Sequence, residues 1–197
     1  MKIMNEILIC IPTYNRNKSL INCLKSIRNL KNISFFKIKV LILDNSITNN
    51  SYKIVKKFNK KQLYKIYQDH EKKRGIVFAR NKCLQIARKL KPDYIAFIDD
   101  DCIVSKNWLK NIFKLFNKID ADVITGPQLY EGQSKNNHMF LFEKNYKKKL
   151  LKVTWAASNN VFFKFDILKQ GKNIKFDKNL NKFGMGEDQL FFSIISK

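Results

Sequence analysis

The chain has 197 residues, 45% of them apolar, with 16 Phe and 7 Tyr, enough for one globular domain with its own core. It carries 39 Lys and Arg against 16 Asp and Glu, a formal charge of +23 and a pI of about 9.9. No run approaches the ~20 apolar residues of a membrane span, and the four scattered cysteines (Cys10, Cys23, Cys83, Cys102) exclude a zinc ribbon or a disulfide framework.

The first elements follow in chain order. Glu6 to Pro12 predicts a buried strand ended by a turn. Leu20, Leu24, Ile27 and Leu30 recur at helical spacing, with Asn17 or Ser19 as the expected cap. Lys39 to Asp44 is a second apolar run, and Gln62 to Gln68 a third, weaker strand. Ile76, Ala79, Cys83, Ala87 and Leu90 mark a helix that Pro92 stops, and Tyr94 to Ile98 forms the fourth strand. Trp108, Leu109, Ile112, Phe113 and Phe116 line one helical face.

The second half is less regular. Asp122 to Thr125 predicts a short strand ended by Gly126 and Pro127. Tyr130 to His138 is a polar loop and Asn145 to Lys152 a basic stretch. Val153 to Lys164 is apolar with small residues that allow close approach of a ligand. Leu190, Phe191, Ile194 and Ile195 predict a helix starting at Glu187.

Strand and helix alternating, with continuous apolar strands, argue a single α/β domain with a mostly parallel central sheet flanked by helices. Ligands of such sheets bind beyond the carboxyl ends of the strands. Two of those ends carry acids, Asp44 and the run Asp99, Asp100, Asp101.

Three adjacent carboxylates repel one another and are costly to bury unpaired. In strand geometry Asp99 and Asp101 share a face and would converge on one divalent cation. Hard oxygen ligands suit Mg²⁺ or Mn²⁺ and leave positions for a diphosphate. The competing structural explanation is a solvated acidic turn before the next helix. His70 and His138 have no partner spacing and read as surface or loop residues.

The ordered set IPTYNR (from Ile11), LDNS (from Leu43), RGIVFARN (from Arg74), FIDDDC (from Phe97) and GMGED (from Gly184) resembles family 2 glycosyltransferases across nearly the whole chain. That resemblance implies the glycosyltransferase A, Rossmann-like fold and one catalytic domain over 1–197. Within it, 1–104 would be the nucleotide-binding half and 105–197 the acceptor-side half, short at its C-terminal end. It implies inverting transfer from a nucleoside diphosphate sugar, a UDP-sugar by the usual pattern, to a glycan or lipid-linked acceptor. Pro12, Thr13 and Tyr14 would lie along the nucleobase, and Asp44 would accept a hydrogen bond from it. Arg80 would be the donor-site arginine. Asp101 and Asp99 would hold the Mn²⁺ or Mg²⁺, with Asp100 near the ribose or the metal. Asp188 would be the general base, with Gly186 and Glu187 on the acceptor side. Family members usually have two acids where this chain has Leu43 and Asp44.

Each of these residues also has an ordinary structural reading. Arg80 would snorkel from a helix surface, Asp44 would close a turn with Asn45 and Ser46, and Glu187 and Asp188 would complement a helix N-terminus.

Arg occurs only five times, at 16, 28, 74, 80 and 88, so Lys supplies nearly all the positive charge. Together with abundant Asn and Ile, that reads as compositional bias, on a surface that still prefers anionic partners. A nucleic-acid-binding protein explains the charge but not the clustered aspartates, and no nucleic-acid-binding signature is present. A catalytically silent nucleotide-sugar-binding relative is the other alternative. With no leader evident near Glu6 and with unpaired cysteines, a cytoplasmic location is expected, with peripheral contact to an anionic membrane.

Overall fold

The computed structural model describes residues 4–59, 64–127, 150–169, 174–183 and 185–195. The polar loop around His138, the lysines 147–149, Gln62 and Gly184 lie outside the described residues.

The elements run β1 (Asn5–Thr13), α1 (Asn17–Arg28), β2 (Phe36–Asp44), α2 (Tyr52–Asn59), β3 (Lys65–His70), α3 (Ile76–Leu90), β4 (Tyr94–Ile98), α4 (Trp108–Phe116), β5 (Val123–Thr125), β6 (Asn160–Lys164) and α5 (Glu187–Ile195). Short 3-10 turns occupy Phe165–Lys169 and Lys178–Lys182. The six strands form one sheet in the order β3-β2-β1-β4-β6-β5. The first four are mutually parallel; β6 runs antiparallel to both β4 and β5.

The continuous apolar runs follow from burial on both faces. Ile7, Ile9 and Ile11 of β1 face a core completed by Leu20, Leu24 and Ile27 of α1 and by Leu109 and Phe113 of α4. Leu8 and Cys10 face the other side, with Val77, Cys83 and Leu84 of α3 and Phe191 and Phe192 of α5. On this second face Phe176 stacks on Phe191 at 4.1 Å and meets Phe97 of β4 edge-on at 5.8 Å. Aromatic pairs at these spacings add to the area they bury. They seat α5 on the sheet.

Three local expectations change. Residues 160–164 of the apolar stretch, expected only to approach a ligand, form β6, an interior strand. α2 also forms, carried by Ile54, Val55 and Phe58, which pack on the first core. The cap of α1 is neither Asn17 nor Ser19. Arg16 holds that position with no side-chain cap bond, because Asn15 turns the chain at φ +55° just before it.

The carboxyl ends of β1, β2 and β3 are level: Thr13 pairs with Asp44, and Asp44 with His70. Asp44 is 1% exposed. Its Oδ1 accepts from the Ser46 N–H at 2.8 Å and the Ser46 hydroxyl at 2.5 Å, and its Oδ2 from the Ser51 N–H at 2.8 Å. Burial pushes this carboxyl up, but the hydrogen bonds, led by the Ser46 hydroxyl, outweigh it and hold it below the ordinary value of 3.8.

A carboxyl lowered by folding stabilises the fold above its unfolded pKa, and that contribution is lost as pH falls through the folded value. Asp44→Asn keeps the shape but turns an amide donor toward other donors. It should lower unfolding free energy at pH 7 by about 2 kcal/mol, the scale of hydrogen bonds to a charged group. In denaturant melts the gap to wild type should be constant above about pH 5 and narrow from about pH 4 downward. A gap that holds or widens at low pH contradicts this assignment.

Candidate active site

The end of β1 buries Pro12 and Thr13, and the turn after it leaves Tyr14 at the edge, 36% exposed, with the Arg74 guanidinium 5.3 Å from its ring centroid. The turn after β2 is a clamp. The Asn45 side chain donates to the carbonyls of Glu71 and Lys73 at 2.7 and 2.8 Å and accepts from the Gly75 N–H at 2.8 Å. Gly75 opens α3 at φ +132°, and a Cβ there would stand 1.9 Å from Asn181 Oδ1. The positive φ favours glycine there, and a side chain would have to push the Asn181 amide aside.

β4 ends at Ile98, so the three aspartates fan out rather than alternate as strand residues. Asp100 turns inward, where its Oδ2 accepts from the Thr13 hydroxyl at 2.6 Å. Burial pushes the Asp100 carboxyl up, against the Thr13 hydroxyl and the Arg16 charge. Asp101 turns outward, and its Oδ2 lies 2.7 Å from Arg16 Nη1. Asp99 points toward α3, with Oδ1 3.5 Å from Arg80 Nη2. Burial pushes Asp99 up; the Arg80 charge opposes this, and the Asp101 and Asp188 charges add to it.

Arg80 and Glu187 have side chains 6% exposed and form an ion pair through Nη1 and Oε1. Arg80 Nε and Glu187 Oε2 have no protein hydrogen-bond partner. Glu187 is therefore an internal partner of the arginine rather than an open acceptor-side group. The next motif residue, Asn81, exchanges hydrogen bonds with the Phe176 backbone at 2.9 and 2.8 Å. Together these contacts fasten the C-terminal segment onto α3.

Glu187 is the first residue of α5, so the pair also sets where Asp188 stands. Asp188 Oδ2 accepts from the Ser158 N–H at 3.0 Å and the Ser158 hydroxyl at 3.3 Å, and Oδ1 from the Gln189 N–H at 2.8 Å. Gly186 precedes the pair at φ +87° with open space around its Cα.

The structure thus brings Thr13, Arg80, Asp99, Asp100, Asp101, Glu187 and Asp188 to one end of the sheet. Asp44 sits at the same level but turns both oxygens into its own loop, matching the turn reading. Thr13 supports Asp100. Sequence reasoning missed Arg16, Asn45, Asn81 and Ser158. Arg16, Asn45 and Asn81 lie inside recognised motifs; nothing near Ser158 points to Asp188, 30 residues away. His70 holds the Ser46 carbonyl through Nε2 at 2.6 Å, a loop role.

Among the described residues no group of three or more His, Cys, Asp or Glu is placed to hold a metal ion. A cation that bridges a diphosphate needs only one or two carboxylates, the phosphates and water supplying the rest. The outward carboxylate of Asp101, beside acids whose pKa values are pushed up, fits that demand. A separate hollow of about 300 Å³ lies at the other end of the strands, among Asn5, Lys91, Asp93, Tyr94 and Lys164, away from these acids.

The chain is 25% identical over 196 residues to the Staphylococcus aureus poly(ribitol-phosphate) beta-N-acetylglucosaminyltransferase TarP, covering 95% of this chain and 56% of TarP. It spans about half the length of some of its curated relatives and about a fifth of others. The solved structure of S. aureus TarS 1–349 superposes with a TM-score of 0.75 at 22% identity, covering 97% of this chain and 55% of that one. TarS has also been solved with UDP and with UDP-GlcNAc. The Pyrobaculum calidifontis mannosyltransferase PcManGT, in complex with GDP-Man and Mn²⁺, superposes with a TM-score of 0.70 at 16% identity, covering 95% of this chain and 50% of that one. These likenesses establish a glycosyltransferase A type of fold. The family model for glycosyl transferase family 2 matches residues 8–176, and the chain belongs to that family.

Proposed function

We propose that this chain transfers a sugar, with inversion, from a UDP-sugar to a glycan acceptor, and that Asp101 and Asp99 hold a divalent cation while Asp188 is the general base. One observation carries the reading. Acids from the segment after β4 and from the start of α5 lie together beyond the parallel strands, where one guanidinium, that of Arg80, pairs with both Asp99 and Glu187, the residue before Asp188. The choice of UDP is supported by the TarS complexes. The choice of a divalent cation is supported by the hard donor set and the PcManGT complex.

The chemistry is one displacement. The acceptor oxygen forms a bond to the anomeric carbon as the bond from that carbon to the diphosphate oxygen breaks, and the electron pair leaves with UDP. The hydroxyl proton passes to the Asp188 carboxylate, which Ser158 and the Gln189 N–H hold in orientation. A bound divalent cation supplies charge neutralisation for the departing diphosphate. Tyr14 and the neighbouring Arg74 border the space for a base at the end of β1. No covalent intermediate is required.

UDP should raise the melting temperature more with Mn²⁺ than with EDTA, and Asp101→Ala should lose that difference. Equal stabilisation in both buffers contradicts the metal role. Asp188→Asn should leave UDP affinity nearly intact and slow transfer about 10²-fold or more. A variant with lower stability and unchanged transfer would make Asp188 a helix-start residue only.

The acceptor is further proposed to lie at an anionic surface. The observations behind this are the charge of +23 and the exposed run Leu150, Leu151, Val153 and Trp155 around Lys152. Vesicles rich in anionic lipid should sediment the protein at low salt and release it at high salt. Equal sedimentation with neutral vesicles contradicts this. Among the described residues no helix is long and apolar enough to cross a membrane.

A further inference from the structure

We propose that Arg16 is a displaceable internal cation of the acidic cluster: it neutralises Asp101 and Asp100 when no metal is bound, and moves to the diphosphate when metal and nucleotide enter. The inference rests on the reading of Asp101 as a metal ligand.

The geometry that supports it is local. Arg16 Nη1 lies 2.7 Å from Asp101 Oδ2 and 3.4 Å from Asp100 Oδ1, so one guanidinium nitrogen bridges two adjacent carboxylates. The other nearby arginine is committed elsewhere, since Arg80 is buried against Glu187 and Asp99. Arg16 is not held in the same way. Its side chain is 57% exposed and that of Asp101 54%. The backbone brings it there deliberately: Asn15 at φ +55° and the uncapped start of α1 place Arg16 over the cluster. The Asn15 side chain in turn accepts from Asn50 Nδ2 at 3.1 Å, tying this turn to the loop after β2.

Exposed ion pairs are weak, so the pair is easily broken by a doubly charged ion. A metal approaching Asp101 alone must still displace a cation that already satisfies it. With UDP present the displaced guanidinium has a new partner, because its planar fork matches phosphate oxygens. Arg16 therefore disfavours metal alone and favours metal with nucleotide. It couples the two bindings without touching the sugar.

The test uses the intact chain and two probes, Mn²⁺ alone and UDP in saturating Mn²⁺, with free Mn²⁺ read by electron paramagnetic resonance and UDP affinity by calorimetry. Arg16→Ala should bind Mn²⁺ alone about two- to fivefold more tightly, the range an exposed ion pair allows, and should bind UDP with Mn²⁺ more weakly. Asp101→Asn added to Arg16→Ala should remove the gain in Mn²⁺ affinity. Arg16→Lys keeps the charge and should stay near wild type for Mn²⁺ alone. Unchanged or weaker Mn²⁺ binding by Arg16→Ala, in a protein whose UDP binding still needs Mn²⁺ and Asp101, overturns the role of Arg16 and spares the metal reading. If wild type and variant bind UDP equally with Mn²⁺ or EDTA, the metal reading fails first and takes this inference with it.

Discussion

The buried ion pair between Arg80 and Glu187 holds the candidate site together. Its partners are 107 residues apart in the chain, one in the first turns of α3 and the other at the first position of α5. A buried charge without its partner is strongly destabilising, whereas replacing both partners by apolar groups is often tolerated. The pair therefore does more to specify an arrangement than to add net stability. It fixes the start of α5 against α3, and Arg80 reaches on to Asp99 at the end of β4. The start of α5, α3 and the end of β4 are joined through one guanidinium. Phe176 and the stacked Phe191 support it from below, and the Arg80 guanidinium lies 5.9 Å from the Phe176 ring.

That arrangement explains how acids can be crowded at a strand end. Asp100 is satisfied from β1 by the Thr13 hydroxyl, Asp99 from α3 by Arg80, and Asp101 from the α1 turn by Arg16. Each carboxylate leans on a different element. The balance is incomplete, since burial still pushes Asp99 and Asp100 up. Acids crowded and partly buried in this way are a stability cost of the kind functional sites carry, and a cation would relieve it.

Much of the fold was legible because both faces of the sheet are buried. β1, β2 and β4 stand out as unbroken apolar runs, and α3 by its period and by Pro92. β6 was harder: Val161, Phe162 and Phe163 form an equally apolar run, but they follow small residues that blur where a strand would begin. α2 has only Ile54, Val55 and Phe58 among lysines. The site was legible as motifs and illegible as contacts. That Glu187 faces Arg80 and that Ser158 holds Asp188 are long-range facts, which residue type and spacing do not encode. The cap of α1 was misplaced for a related reason: Asn17 has the right chemistry, but the left-handed turn at Asn15 moves the boundary and commits Arg16 to the acids.

By this geometry the Arg80–Glu187 pair would position Asp99, the proposed donor-side acid, and Asp188, the proposed base, for one reaction. A double-mutant cycle with Arg80→Met and Glu187→Met, read in both stability and transfer rate, tests it most directly. Each single variant should lose about 3–5 kcal/mol of stability, and the double variant should recover most of it. Transfer should stay low in the stable double variant, because no charged side chain then links the start of α5 to Asp99. Additive losses of stability, or a double variant that transfers sugar at the wild-type rate, would contradict the account.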